Sequence, residues 1–299
     1  MDGRSGPMTA SNWSRLAKDL VSVLHPSAPP VAITFSAGPL EGVGPFDAPM
    51  SAPAPDGRSG RVPAGCVFWM KAVERTFTTS PEDHGNCSVG VLTHGLADLD
   101  AVSANDDVAA LVSSGWVTED MFPAIPVVKE RPGAITYGPL ADVDASSGTA
   151  PDVVLVRLSP ASLMVLGEAI PGLRIEGKPH CHIVAAAKEE GEVVASVGCA
   201  LSRARTGMPN GEVSCAIPGH LLGDVVDKVR TAAEADRAAV AWAAEDGLRF
   251  SQSPAGAGGQ SPASGGAQAL AGAGGRSPGG GRPSPAGSGA TAHPVRPAE

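Results

Sequence analysis

The chain has 299 residues, a formal net charge of −9 and only 4% aromatic residues. An acidic body with scattered Lys and Arg and little aromatic surface argues against nucleic-acid binding, which rests on phosphate neutralisation and base stacking. No apolar run reaches the length of a bilayer-spanning helix, and residues 1–10 lack the basic start and apolar segment of a signal peptide, so a cytoplasmic protein with no membrane association is expected.

Residues 1–10 read as a flexible N-terminus. Behind a cap at Ser11 or Asn12, the residues Trp13, Leu16, Ala17, Leu20, Val21 and Leu24 recur at helical spacing and predict an amphipathic helix over 12–24. Pro26, Pro29 and Pro30 end it, and Val31 to Phe35 is a β-rich run that reads as a buried strand. Gly38 to Pro63 is a loop by composition, long enough to cover a site. Cys66 to Arg75 fits a helix with Cys66, Trp69, Met70 and Val73 on one face. Cys66 then lies in a first turn, where unpaired backbone N–H groups are expected to favour a thiolate and lower its pKa. Thr76 to Thr79 is β-like. Ser80-Pro81-Glu82-Asp83 carries the cap, the first-position proline and the acidic first turn of a helix start, so 84–96 is expected to hold Cys87 on a second helix or on the turn into it.

Further on, 105–114 predicts a short helix stopped at Gly115, and strands are expected at 127–128 and 134–137. Val153 to Val156 is continuous enough to be a strand covered on both faces, and Ser159-Pro160 opens a helix to Ala169. Apolar elements over 183–187 and 192–197 flank a turn at Glu189-Glu190-Gly191, and 212–217 reads as the last strand. Leu221, Leu222, Val225, Val226, Val229 and Ala233 keep helical spacing in a long helix running to about Ala244. From Ser251 the chain is almost entirely Gly, Ala, Ser and Pro, too poor in apolar surface to offset the entropy of ordering, so 251–299 is expected to be a disordered tail. The mixed order of elements over 11–250 predicts an α+β fold, one mixed-sheet domain with flanking helices or two lobes.

Five cysteines, an odd number at irregular spacing, read in a reducing compartment as free thiols or ligands rather than as a disulfide framework. Cys66, Cys87 and Cys199 each stand beside a glycine or a capping position. With Cys181 as a fourth, thiolates from separate elements can close a site for an iron-sulfur cluster or another thiolate-bound metal. Iron-sulfur is preferred to zinc because the short cysteine pair of a structural zinc knuckle is missing. Cys215, inside a strand, reads as a small buried hydrophobe. His180 and His182, two apart, would share one face of a strand as a solvated surface pair, with metal or proton chemistry as the alternative. The thiolate elements are expected to converge, with Cys66 beside the Gly198-Cys199 turn, Cys87 on the same wall and Arg203 at the mouth.

A second reading is a metal-free thiol enzyme in which Cys66 is the nucleophile, His84 its proton partner and Arg203 the anchor of an acidic substrate or cofactor group. A third is a module that binds a small molecule in an apolar pocket lined by the cysteines. Phosphate-binding glycine loops, the Gly-x-Ser-x-Gly elbow and the His-Glu-x-x-His helix are all missing in usable context, which removes the common nucleotide, hydrolase and zincin readings.

Taken together, the strand Pro30-Val31-Ala32-Ile33, the helix Cys66 to Ala72, the segment Thr79 to Cys87 and the stretch Val197 to Arg203 resemble the domain of unknown function 169 family, over about Trp13 to Arg230. The resemblance implies a soluble prokaryotic protein with an early strand, a Cys-led helix, a second Cys beyond a Thr/Ser-rich segment and a Gly-Cys followed by Ser-Arg. The chain departs from that pattern in the long Pro/Gly loop before Cys66 and in His180-Cys181-His182. The family implies one module and a cysteine pattern, and no reaction.

Overall fold

Proline and glycine punctuation cuts this chain into short pieces, and its β-branched runs become strands. A computed structural model describes residues 10–46, 66–84, 87–143 and 149–252. The expected flexible start, most of the Pro/Gly loop and nearly all of the expected tail lie outside the described residues. Helix α1 spans Ala10–Leu24 and strand β1 Val31–Ser36, followed by α2 at Cys66–Lys71 and β2 at Phe77–Thr79. Three short helices come next, α3 at Ser88–Thr93, α4 at Leu99–Ser103 and α5 at Asp106–Ser113. Strands β3 at Ala134–Pro139 and β4 at Val153–Leu158 lead to α6 at Pro160–Ala169, which Ser159 caps from its side chain. The chain then runs through β5 at Arg174–Glu176, α7 at His182–Glu190, β6 at Val194–Ser196, α8 at Ala200–Thr206, β7 at Val213–Pro218 and α9 at Leu222–Gln252.

The strands form one seven-stranded mixed sheet in the order β2-β3-β1-β4-β7-β6-β5. Every neighbouring pair is antiparallel except β5 with β6. The fold is therefore α+β, with one continuous sheet rather than two lobes. Alternation along the strands sends Ile33, Ile135, Tyr137, Leu155, Val194 and Ala216 to one face and Ala32, Val154, Val156, Ala195, Cys215 and Ile217 to the other. The first face is covered by α2 to α5 and α7, the second by α1, α6 and α9. This double cover explains why β4 reads as an unbroken apolar run, with Val153 to Val156 at most 1% exposed.

Several elements differ from the sequence expectation. Helix α2 stops at Lys71, short of Arg75, and α9 continues past Ala244 to Gln252. Residues 127–128 form no strand, while α4, α8 and β5 are additional. The run from His182 onward is a helix, because the good helix formers Ala185, Ala186 and Ala187 and Lys188, Glu189 and Glu190 continue it past the short apolar stretch.

The edges of the sheet differ: the β2 edge is occupied, and the other ends in β5. Along β2 the chain itself returns, with the Phe46 N–H donating to the Thr78 carbonyl at 2.8 Å and the Thr78 N–H to the Gly44 carbonyl at 2.9 Å. At β5 the exposed Ile175 sits beside Arg174, which pairs with Glu176, Glu190 and Glu192. Among the described residues, no helix is long and apolar enough to cross a membrane.

Candidate functional site

Four cysteines on four separate elements stand at helix N-termini on one side of the sheet. Cys66 is the first residue of α2, and Cys87, Cys181 and Cys199 are the N-caps of α3, α7 and α8. At the last of these the Cys199 Sγ accepts from the Ser202 N–H at 3.3 Å, while the Ser202 Oγ accepts from the Cys199 N–H at 3.1 Å. That reciprocal cap is the one written into the sequence as Cys199 followed three residues later by Ser202. All four cysteines line a single cavity of about 20 Å³, closed by Val89, Trp116, His180 and Leu201 and reached by Arg205. Cys66 and His180 also form a wall of a second, smaller void that holds Trp69, Met70 and Met208.

Burial dominates the electrostatics. It pushes the Cys66 thiol up to about 12, and the charges that would develop on Cys87 and Cys199 push the same way, with Arg205 opposing. Cys181 is likewise held well above the ordinary thiol range, first by burial and then by Cys87, against a hydrogen bond from Thr93. The lowered pKa expected for Cys66 at a helix start is therefore overturned: desolvation outweighs the few free N–H groups of one short helix.

His180 and His182 are not a surface pair. They are 4% and 8% exposed at the start of α7, and the Nε2 atom of each has no partner among the described residues. His180 lies edge-to-face on Trp69, ring centroids 5.1 Å apart, with its Nδ1 3.0 Å from the Ser202 Oγ. Its pKa falls to about 4, through burial first and then the charges of Arg203 and Arg157. Two further polar groups on this side of the sheet are buried without a partner among the described residues, the Trp69 Nε1 and the Tyr137 hydroxyl. Tyr137 is fully buried on β3 against Phe68, at 5.6 Å between ring centroids, and charge at Cys66 or Cys181 raises its pKa beyond the effect of burial.

The other expected site residues lie apart from the thiols. His84 is not in the cavity lining: its Nε2 sits 2.9 Å from the Thr79 Oγ1 and its ring packs on Phe68 and faces His94. Arg203 is not at the mouth. Its guanidinium spans the carbonyls of Val197, Pro209 and Glu212, so it clamps the β6-α8-β7 turn, and Arg205, two residues on, faces the cavity instead. Cys215 is completely buried on the opposite face of the sheet. Among the described residues, no group of three or more His, Cys, Asp or Glu side chains closes on a point as a preformed metal site.

The profile of the domain of unknown function 169 family, described as "Uncharacterised ArCR", matches residues 19–228, which takes in the whole sheet and all four cavity cysteines. The chain belongs to the domain of unknown function 169 family. No curated protein and no solved structure matches it. In this member of the family, the helix that extends furthest beyond the matched module is α9, whose outer part carries the exposed Val240 and Trp242.

Proposed function

We propose that this member of the domain of unknown function 169 family carries an iron-sulfur centre on Cys66, Cys87, Cys181 and Cys199, and that it works in redox or small-molecule metabolism in the cytoplasm. The observation that supports this reading is the meeting of four thiols, each at the N-terminus of its own helix, around one cavity. Thiols packed together and desolvated resist ionisation, and a bound cation reverses that balance by replacing their protons. Four sets of helix-start N–H groups then compensate the negative charge of a cluster and its thiolates.

Iron-sulfur is preferred to zinc because the chain has no short cysteine pair of the kind a structural zinc knuckle uses. A single tetrahedral ion with bonds of about 2.3 Å draws four sulfurs to roughly 4 Å of one another. Among the described residues the thiols do not close on one point, and the void they line, about 20 Å³, has room for little more than one water, so a centre of either kind requires the sulfurs to shift as it binds. The metal-free thiol enzyme has less support, since Cys66 is protonated at neutral pH and His84 stands elsewhere.

Anaerobic purification followed by iron and acid-labile sulfide analysis and a visible absorbance scan tests the proposal. The expected result is a brown protein with iron and sulfide in equal amounts, lost on Cys181→Ala. Zinc without colour would replace the cluster by a single ion. A colourless, metal-free protein that fails to take up iron and sulfide on anaerobic reconstitution would refute both forms.

A further inference from the structure

The face of the sheet turned away from the thiols is apolar under α1, α6 and α9 but changes character toward the β2 edge. There Thr34 of β1, Thr136 of β3 and Thr78 of β2 stand in register on one rung. All three are buried, at 8%, 6% and 5% exposure. Valine would fill such positions with equal strand propensity and no polar group to satisfy, so each buried hydroxyl requires a hydrogen-bonding reason. Thr78 and Thr136 satisfy each other at 2.8 Å. The Thr34 hydroxyl has no partner among the described residues, and it lines a cavity of about 120 Å³.

The walls of that cavity decide what fits. Ala32, Leu40, Val43, Pro139 and Val143 make its middle apolar. Glu41 and Asp142 stand exposed at its rim, neither has a basic partner among the described residues, and no Lys or Arg belongs to the described lining. Two carboxylates without a basic partner among the described residues repel phosphate and carboxylate ligands and attract a cation. Drug-sized pockets run to roughly 300–1,000 Å³, so the occupant here has few heavy atoms.

We infer that this cavity binds a short aliphatic amine, its ammonium between Glu41 and Asp142, its methylenes against the apolar walls and a second amine or hydroxyl at Thr34. The site is independent of the thiol cavity, which lies on the other side of the sheet.

Titration calorimetry of the full chain at low salt tests this with putrescine and ethanolamine as probes and glycerol and inorganic phosphate as controls. Saturable binding of at least one amine, with both controls silent, is expected. Thr34→Val should weaken it about fivefold to tenfold, the value of one hydrogen bond, without lowering the thermal midpoint. Glu41→Gln, an exposed change that leaves folding intact, should weaken it as well and flatten its salt dependence. Silence with both amines, equal binding of glycerol or phosphate, or an affinity unchanged in both variants would overturn the inference.

Discussion

Acidification should destabilise this protein through its buried histidines, of which His84 and His94 form a pair. His84 and His94 are 6% and 1% exposed, with ring centroids 6.1 Å apart. The His94 Nδ1 lies 2.8 Å from the Gly90 carbonyl, which fixes its proton there and leaves the Nε2 buried without a partner. Burial lowers the His94 pKa from the ordinary 6.5 to about 4. His84 is lowered well below the same value, by burial and then by His94. Both are neutral in the fold and protonated in the unfolded chain, so their contribution is complete above about pH 6.5 and is lost as pH falls toward 4. For His94 alone the loss between pH 7 and pH 5 is about 2 kcal/mol, a large part of a typical folding free energy of roughly 5–15 kcal/mol. Urea unfolding at pH 7 and pH 5, comparing the parent chain with His94→Gln, isolates this contribution, because glutamine keeps a donor for the Gly90 carbonyl but does not titrate. The parent should lose about 2 kcal/mol more than the variant. Parallel losses in the two proteins would refute the assignment of this acid sensitivity to His94.

Other perturbations separate the site from its scaffold. Arg157 donates to both oxygens of Glu212, at 2.7 and 2.8 Å, with side chains only 13% and 5% exposed; Glu212→Gln should therefore cost about 3–5 kcal/mol in chemical denaturation by stranding the guanidinium. Cys215→Ala should cost about 1 kcal/mol of packing and leave iron and sulfide content unchanged, since that sulfur lies across the sheet from the cavity. Arg203→Ala should lower stability by about 1–3 kcal/mol through three carbonyls that lose a charged donor. Arg205→Ala should instead raise the Cys66 pKa further, read as slower alkylation of the metal-free protein at alkaline pH.

The sequence made the elements with unambiguous spacing legible. Helix α1, strand β4 and the inner part of α9 follow from periods of 3.6 and 2 and from burial on one face or both. Short apolar runs carry no such signature: Ile183 to Ala187 fits either a strand or a helix, and only the neighbouring residues and the sheet beneath decide for α7. The three-residue β5 was hidden because two of its residues are charged and its apolar one faces solvent. At the site, a turn at Gly198-Cys199 and the packing role of Cys215 were readable from local sequence, but the helix that Cys199 caps was not. The rotation of α8 was not, and that rotation decides that Arg205 faces the thiols while Arg203 turns to the backbone. Nor could the pKa of Cys66 be judged, because burial comes from residues distant in the chain.

The two edges of the sheet bear on how this protein behaves in a crowded solution. An open strand edge is a template on which another molecule's strand can add, and repeated addition is the route to fibrils. On one side Gly44 and Phe46 already use both backbone groups of Thr78, so no foreign strand can pair there without displacing them. On the other, a newcomer along β5 meets the exposed Ile175 on one face and, on the opposite face, Arg174 held in ion pairs with three glutamates. Arg174 is thus the charged residue that guards the one edge left open. Its loss would be felt less in the folding equilibrium than in shelf life, as turbidity that develops with time and concentration.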